Sequence, residues 1–141
     1  MQSRPRSIVN FERCYLGAFV LGFVNTVLAW SDTQATIAAS DAGAAFGGSF
    51  LIVTTALGFA ITLALWYFIA RRGSAVAKWI ATVFLALGVL GLVFALLMRT
   101  YPAGIGGVVG IVTTVLQAVA ISFLFRADTK PWFGETAEPI V

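Results

Sequence analysis

Six neutral polar side chains interrupt the long apolar runs of this sequence: Asn25, Thr54, Thr55, Thr113, Thr114 and Gln117. An amide both donates and accepts hydrogen bonds, and a hydroxyl does either. Groups of this kind can hold helices together or line a path for an uncharged solute. They cannot perform acid–base catalysis. Threonine readily bonds its own helix backbone, so each threonine alone is a weak signal, as are Thr62, Thr82 and Ser122. Asn25 and Gln117 are stronger, because an unpaired amide in hydrocarbon costs several kcal/mol.

The residues that usually carry chemistry are missing from the same runs. The chain has no His and a single cysteine, Cys14. That removes bis-histidine haem ligation, the commonest metal ligand and base, and paired-cysteine exchange. No GxSxG, HExxH or Walker pattern occurs. No group of acids is placed to hold magnesium. The acid nearest a span is Glu12, and an ion pair with its neighbour Arg13 is its simplest role. Cys14 reads as a small buried residue. The expectation is a protein that is not an enzyme, with no cofactor and no metal.

The elements that position these residues follow from where charge is absent. Of 141 residues, 60% are hydrophobic and 11% charged, against about 45–50% and about 25% in soluble domains. Stretches 14–31, 42–70, 79–98 and 100–125 carry no Lys, Arg, Asp or Glu. A helix needs roughly 20 mainly apolar residues to cross a bilayer. The runs are apolar all round, without the period-two alternation of a membrane barrel. The sequence therefore predicts an all-α fold, an integral membrane bundle of four transmembrane helices at about 14–31, 45–70, 77–98 and 103–125. These form one domain over residues 1–133, followed by a flexible tail over 134–141. A cleaved leader ending near Val27-Leu28-Ala29 is the alternative for the first run. Its length, and Glu12-Arg13 at its edge, favour a retained helix.

Orientation follows from the bases, which stay on the cytoplasmic side of short loops. Arg4, Arg6, Arg13, Arg71, Arg72, Lys78, Arg126 and Lys130 share one side, and Arg99 stands alone on the other. Both termini are therefore expected in the cytoplasm. The far loop, Asp32 to Asp41, has two acids and no base. The aromatic residues fit an anchoring belt at the two membrane interfaces. Trp30 and Tyr101 fall at the outer ends, and Tyr15, Trp66, Tyr67, Trp79 and Trp132 near the inner ends. The basic balance lacks a basic stripe or stacking surface, so no nucleic-acid binding is expected.

Depth along the helices separates the two amides. Asn25 lies about 8 Å and Gln117 about 20 Å from the outer side, which argues against a direct pair. Gln117 is level with Ala60 and with Phe84-Leu85, and glue to a backbone carbonyl, a threonine or a second copy is its expected role. Small residues recur at spacing four, Ala18/Gly22, Ala60/Ala64, Gly91/Ala95 and Gly106/Gly110, which suits packing within the bundle. Ser40-Asp41 and Ser74 are candidate caps for the second and third spans. Tyr101-Pro102 marks the turn into the fourth, and Gly73 suits the tight inner turn.

One likeness adds to this reading. Trp66-Tyr67-Phe68-Ile69-Ala70-Arg71-Arg72 and Ala77-Lys78-Trp79-Ile80 are followed by the exit Leu124-Phe125-Arg126-Ala127-Asp128-Thr129-Lys130-Pro131-Trp132-Phe133. The pattern resembles small uncharacterised four-helix membrane proteins of bacteria. The resemblance implies a bacterial cytoplasmic (inner) membrane and a four-helix fold, and carries no activity. The function expected is a non-catalytic accessory, assembly or scaffold subunit in the lipid bilayer, in a larger membrane complex or self-associated. The alternative is a small oligomeric transporter or channel for an uncharged or weakly polar solute, lined by the six residues named first. The charge bias makes one direct prediction. A phosphatase fused after Val141 is expected to be inactive and a fluorescent protein fused there bright; the reverse result places the C-terminus outside.

Overall fold

The computed structural model describes residues 3–135, and all the regular structure there is helical. Four helices are long and apolar enough to cross a membrane: α1 (Arg6–Leu28), α4 (Ser49–Ala70), α5 (Ala75–Leu97) and α6 (Ile105–Phe123). Two short helices, α2 (Trp30–Ala38) and α3 (Asp41–Phe46), join α1 to α4. Two 3-10 turns, Ala127–Thr129 and Pro131–Phe133, follow α6. The spans alternate in direction and close a ring in which α1 touches α6 and α4, and α5 touches α4 and α6. Both ends of the described segment therefore lie at one end of the bundle, called here the basic end.

Several boundaries differ from the sequence reading, for identifiable reasons. α1 begins at Arg6 rather than near residue 14. Charge does not stop a helix; it only ends the part that can lie in hydrocarbon. The stretch read as a loop over Asp32 to Asp41 is mostly helical. Ser40 does cap a helix, accepting from Gly43 N at 3.2 Å. That helix is α3, however, which stops at Gly47 (φ 72°) before the second span begins. Ser74 caps α5 as expected, accepting from Ala77 N at 3.2 Å. Glu12 does not pair with Arg13, because adjacent residues diverge around a helix. It accepts from Arg4 Nη1 (2.9 Å) and from Arg71 Nη2 (3.2 Å) instead.

The core sits at the basic end. Ile8, Phe11, Ile69, Ala70, Ala120 and Leu124 are fully enclosed there, with Leu65, Ala81, Ile121 and Phe133 beside them. α1 is the best buried span and the least apolar, at mean hydropathy 1.3. α5 is the least buried and the most apolar, at 2.7. In a membrane this inversion is expected, since lipid-facing positions must be apolar and protein-facing ones need only be satisfied.

A strap formed by residues 126–135 crosses the basic end and touches every span. α1 has no side-chain cap of its own. Asp128 supplies one, accepting from Ser7 Oγ (2.8 Å) and Ser7 N (3.2 Å). The Ser7 hydroxyl, foremost, holds the Asp128 carboxyl below its ordinary value. Thr129 Oγ1 donates to Leu124 O (2.8 Å) and Arg126 O (2.7 Å) at the end of α6. Trp132 Nε1 donates to Ile69 O in the last turn of α4 (3.0 Å). Lys78 of α5 is 3% exposed and pairs with Glu135. Its ammonium lies 4.7 Å from the Phe133 ring and 5.1 Å from the Phe125 ring, a cation–π setting. Of the tail expected to be flexible, Glu135 is thus held, and its N–H also donates to Lys130 O (2.9 Å). Residues 136–141 lie outside the described residues.

Gly73 lets the strap approach. It turns the chain between α4 and α5 at φ 59°, and a Cβ there would collide with the Trp132 carbonyl. Gly134 has a similar φ of 69° but nothing near it. Gly73→Ala is therefore expected to destabilise the protein by more than the about 1–2 kcal/mol of left-handed strain alone, and by more than Gly134→Ala. Thermal unfolding in detergent checks this; equal losses would show that the strap does not depend on close approach at Gly73.

Candidate functional site: a polar crevice between the spans

Above the core the bundle opens. An inner cavity of about 370 Å³ is lined by Tyr15, Gly58, Ile61, Thr62, Leu65, Ala81, Phe84, Leu85, Gln117 and Ile121. An outer cleft adjoins it, lined by Asn25, Thr26, Ala29, Thr33, Thr55, Gly58, Phe59, Thr62 and Pro102. Gly58 and Thr62 line both, so the two meet along α4 and are described together as a crevice. It leads from the end bearing α2 and α3 and stops against the core. No Lys, Arg, Asp or Glu lines it.

Helical spacing builds its walls. On α4, Thr55, Gly58, Thr62 and Leu65 fall at intervals of three or four and share one face. On α1, Thr26 and Ala29 do the same, and Thr33 continues the row in α2. Thr26, Thr33, Thr55 and Thr62 thus form a hydroxyl-bearing lining. Thr26 and Thr62 donate to Gly22 O (2.8 Å) and Gly58 O (2.9 Å) of their own helices. Their oxygens remain able to accept a second hydrogen bond.

The residues singled out from the sequence separate into three groups. Asn25 and Thr55 line the outer cleft, and Gln117 lines the inner cavity. Thr113 donates to Val109 O (2.8 Å) and packs toward Gly22 at the seam between α1 and α6. Thr114 donates to Gly110 O (3.0 Å). Thr54 is exposed and bonds Phe50 O (2.8 Å), away from the crevice. Asn25 and Gln117 do not bond each other. Among the described residues, neither amide has a hydrogen-bond partner, and Asn25 Oδ1 lies near Gly106 of α6.

The aromatic residues also divide. Trp79 is 57% exposed and meets Phe125 edge-on. Trp30 is half-buried where α2 begins. Trp66 is half-buried, with Arg71 over its ring at 5.7 Å, and its buried Nε1 has no partner. Trp132 is engaged with α4, as described. Tyr101 donates to Gly107 O (2.9 Å), and its ring lies over Gly107 and Gly110, whose missing side chains make room for it. Tyr15 is 7% exposed, and it lies beside the inner cavity.

Sequence reasoning missed Thr26, Thr33 and Tyr15 as lining residues and gave Thr62 little weight. The Thr55-Gly58-Thr62 spacing was the signal that could have marked this face. The chain matches no family model, no curated protein and no solved structure.

The inner cavity separates two roles for Gln117. If its amide holds helices together, Gln117→Leu should cost about 1 kcal/mol. The geometry instead leads us to expect no loss of stability, or a gain, in detergent unfolding. A clear loss would show that the amide is glue.

Proposed function

We propose that this chain is a non-catalytic multi-pass protein of a bacterial cytoplasmic membrane that binds, and in an oligomer passes, a neutral, weakly polar solute. Both termini lie in the cytoplasm in this reading, on the strength of the basic bias. The crevice then opens toward the outside. One observation carries the solute reading: half-buried Gln117 lines a cavity within the span region, and its amide has no hydrogen-bond partner among the described residues. Leaving an amide unpaired in an apolar setting costs roughly 2–7 kcal/mol, so the site suits an occupant able to hydrogen-bond. An accessory or scaffold subunit, the other role expected from composition, gives no reason for such a group in the interior.

The absence of charge in the lining selects the solute class. A bare ion would lose its hydration with no opposite charge to replace it. A neutral solute meets hydroxyls along the cleft and one amide at its floor. The core and strap close the basic end, so entry is from the α2–α3 end.

Cysteine scanning tests this. In a Cys14→Ser background, Thr55→Cys and Thr62→Cys are expected to react with a membrane-impermeant thiosulfonate added from outside. Thr54→Cys, which faces away, should react far more slowly, and Ala120→Cys in the core should not react. Labelling of Thr54→Cys as fast as Thr55→Cys would remove the crevice.

A further inference from the structure

The inner cavity is more selective than a general path for neutral solutes, and the selection lies in its hydrogen-bonding inventory. Tyr15 is more than nine-tenths buried, yet its hydroxyl has no partner among the described residues. Gln117 of α6 is half-buried and lines the same cavity, and its amide too has no hydrogen-bond partner among the described residues. Thr62 donates its hydrogen to Gly58 O (2.9 Å), which leaves only its oxygen to accept. The cavity therefore presents a phenol O–H, a carboxamide and one hydroxyl oxygen. The rest of its wall is hydrocarbon, including the ring of Phe84.

That inventory excludes most candidates by count. A sugar or polyol would bring more hydroxyls than three groups can satisfy, and each one left over is costly. An ion would find no opposite charge. An alkane would leave Tyr15 and Gln117 unpaired. What remains is an apolar molecule with one or two neutral oxygens. A volume of about 370 Å³ lies at the lower end of small-molecule sites and suits one or two rings. Gly58 then acquires a role. A Cβ built on it would meet no protein atom within 4 Å, and it lines both the cavity and the cleft. The α4 wall is cut back there, so a substituent on a bound ring can run past Gly58 toward Thr55.

We infer that the inner cavity binds the head of a neutral phenol or quinone, held by the Tyr15 hydroxyl and the Gln117 amide, with its ring against Phe84. Both kinds of head suit the same three groups. A quinone carbonyl accepts from Tyr15 or Gln117, and a phenol donates to the Gln117 or Thr62 oxygen. No redox step is involved. This rests on the solute reading above and names its ligand.

The test uses the full chain in phosphatidylcholine nanodiscs, with menadione and 1-naphthol as probes and empty nanodiscs as the partition control. Saturable binding of both is expected. Tyr15→Phe and Gln117→Leu should each weaken it by about three- to tenfold, as for one lost hydrogen bond. Gly58→Leu should block it, and lipid-facing Thr54→Val should leave it unchanged. Charged 1-naphthalenesulfonate should not compete. Unfolding midpoints identify any variant that fails to fold, and the remaining variants on separate helices still decide the outcome. Binding equal to empty nanodiscs, or equal affinity in all folded variants, overturns the proposal. If Thr55→Cys is labelled from outside but neither probe binds, the ligand class is wrong and the solute reading stands. If Thr55→Cys is not labelled, both fall.

Discussion

The ends of transmembrane helices carry backbone N–H and C=O groups with no partner inside the helix, and this fold depends on how they are satisfied at the basic end. The spans lack most of the needed caps themselves; only α5 has a side-chain cap, from Ser74. The strap after α6 supplies the others. Asp128 serves α1, Trp132 serves α4, and Thr129 serves the end of α6. Because one short segment meets all these ends, their positions become mutually fixed. The apolar core then forms directly beneath it.

That fixed end explains why the other end can be open. Between apolar helices in lipid there is little hydrophobic force to close a gap, since lipid tails are as apolar as leucine. Contact must come from small residues and specific hydrogen bonds. α1 and α6 achieve it along Gly17, Gly22 and Gly106, where side chains of the other helix fill the space. On α4, by contrast, a Cβ at Gly58 would meet no protein atom within 4 Å. The cavity and the cleft both border that position.

Much of this was legible in the sequence. The charge-free runs gave four spans, because hydrocarbon excludes charge wherever the chain goes. Ser74 and Gly73 gave the tight turn, because capping and positive φ are local demands. The strap was legible only as a segment leaving the bilayer. Its bonds join residues far apart in sequence, and nothing in Asp128 itself points to Ser7. Glu12 was misassigned for the same reason, its partners lying on another turn and another helix. Asn25 and Gln117 stood out as amides, but only the packing shows that neither meets a partner. Tyr15 looked like an interfacial anchor because its ring chemistry is the same in a belt and in a core.

The Ser7–Asp128 contact joins residues 121 positions apart. Chains are made from the N-terminus onward, and domains generally fold as units during synthesis. α1 is therefore made long before its cap exists, and Ser7 N–H has no Asp128 to bond while the remaining spans are added; Ile8 and Val9 N–H already bond Pro5 O. Glu12 can meet Arg71 as soon as α4 is in place, but the Ser7–Asp128 bond, and with it the tie between α1 and the strap, is made last, from the C-terminal side of the chain.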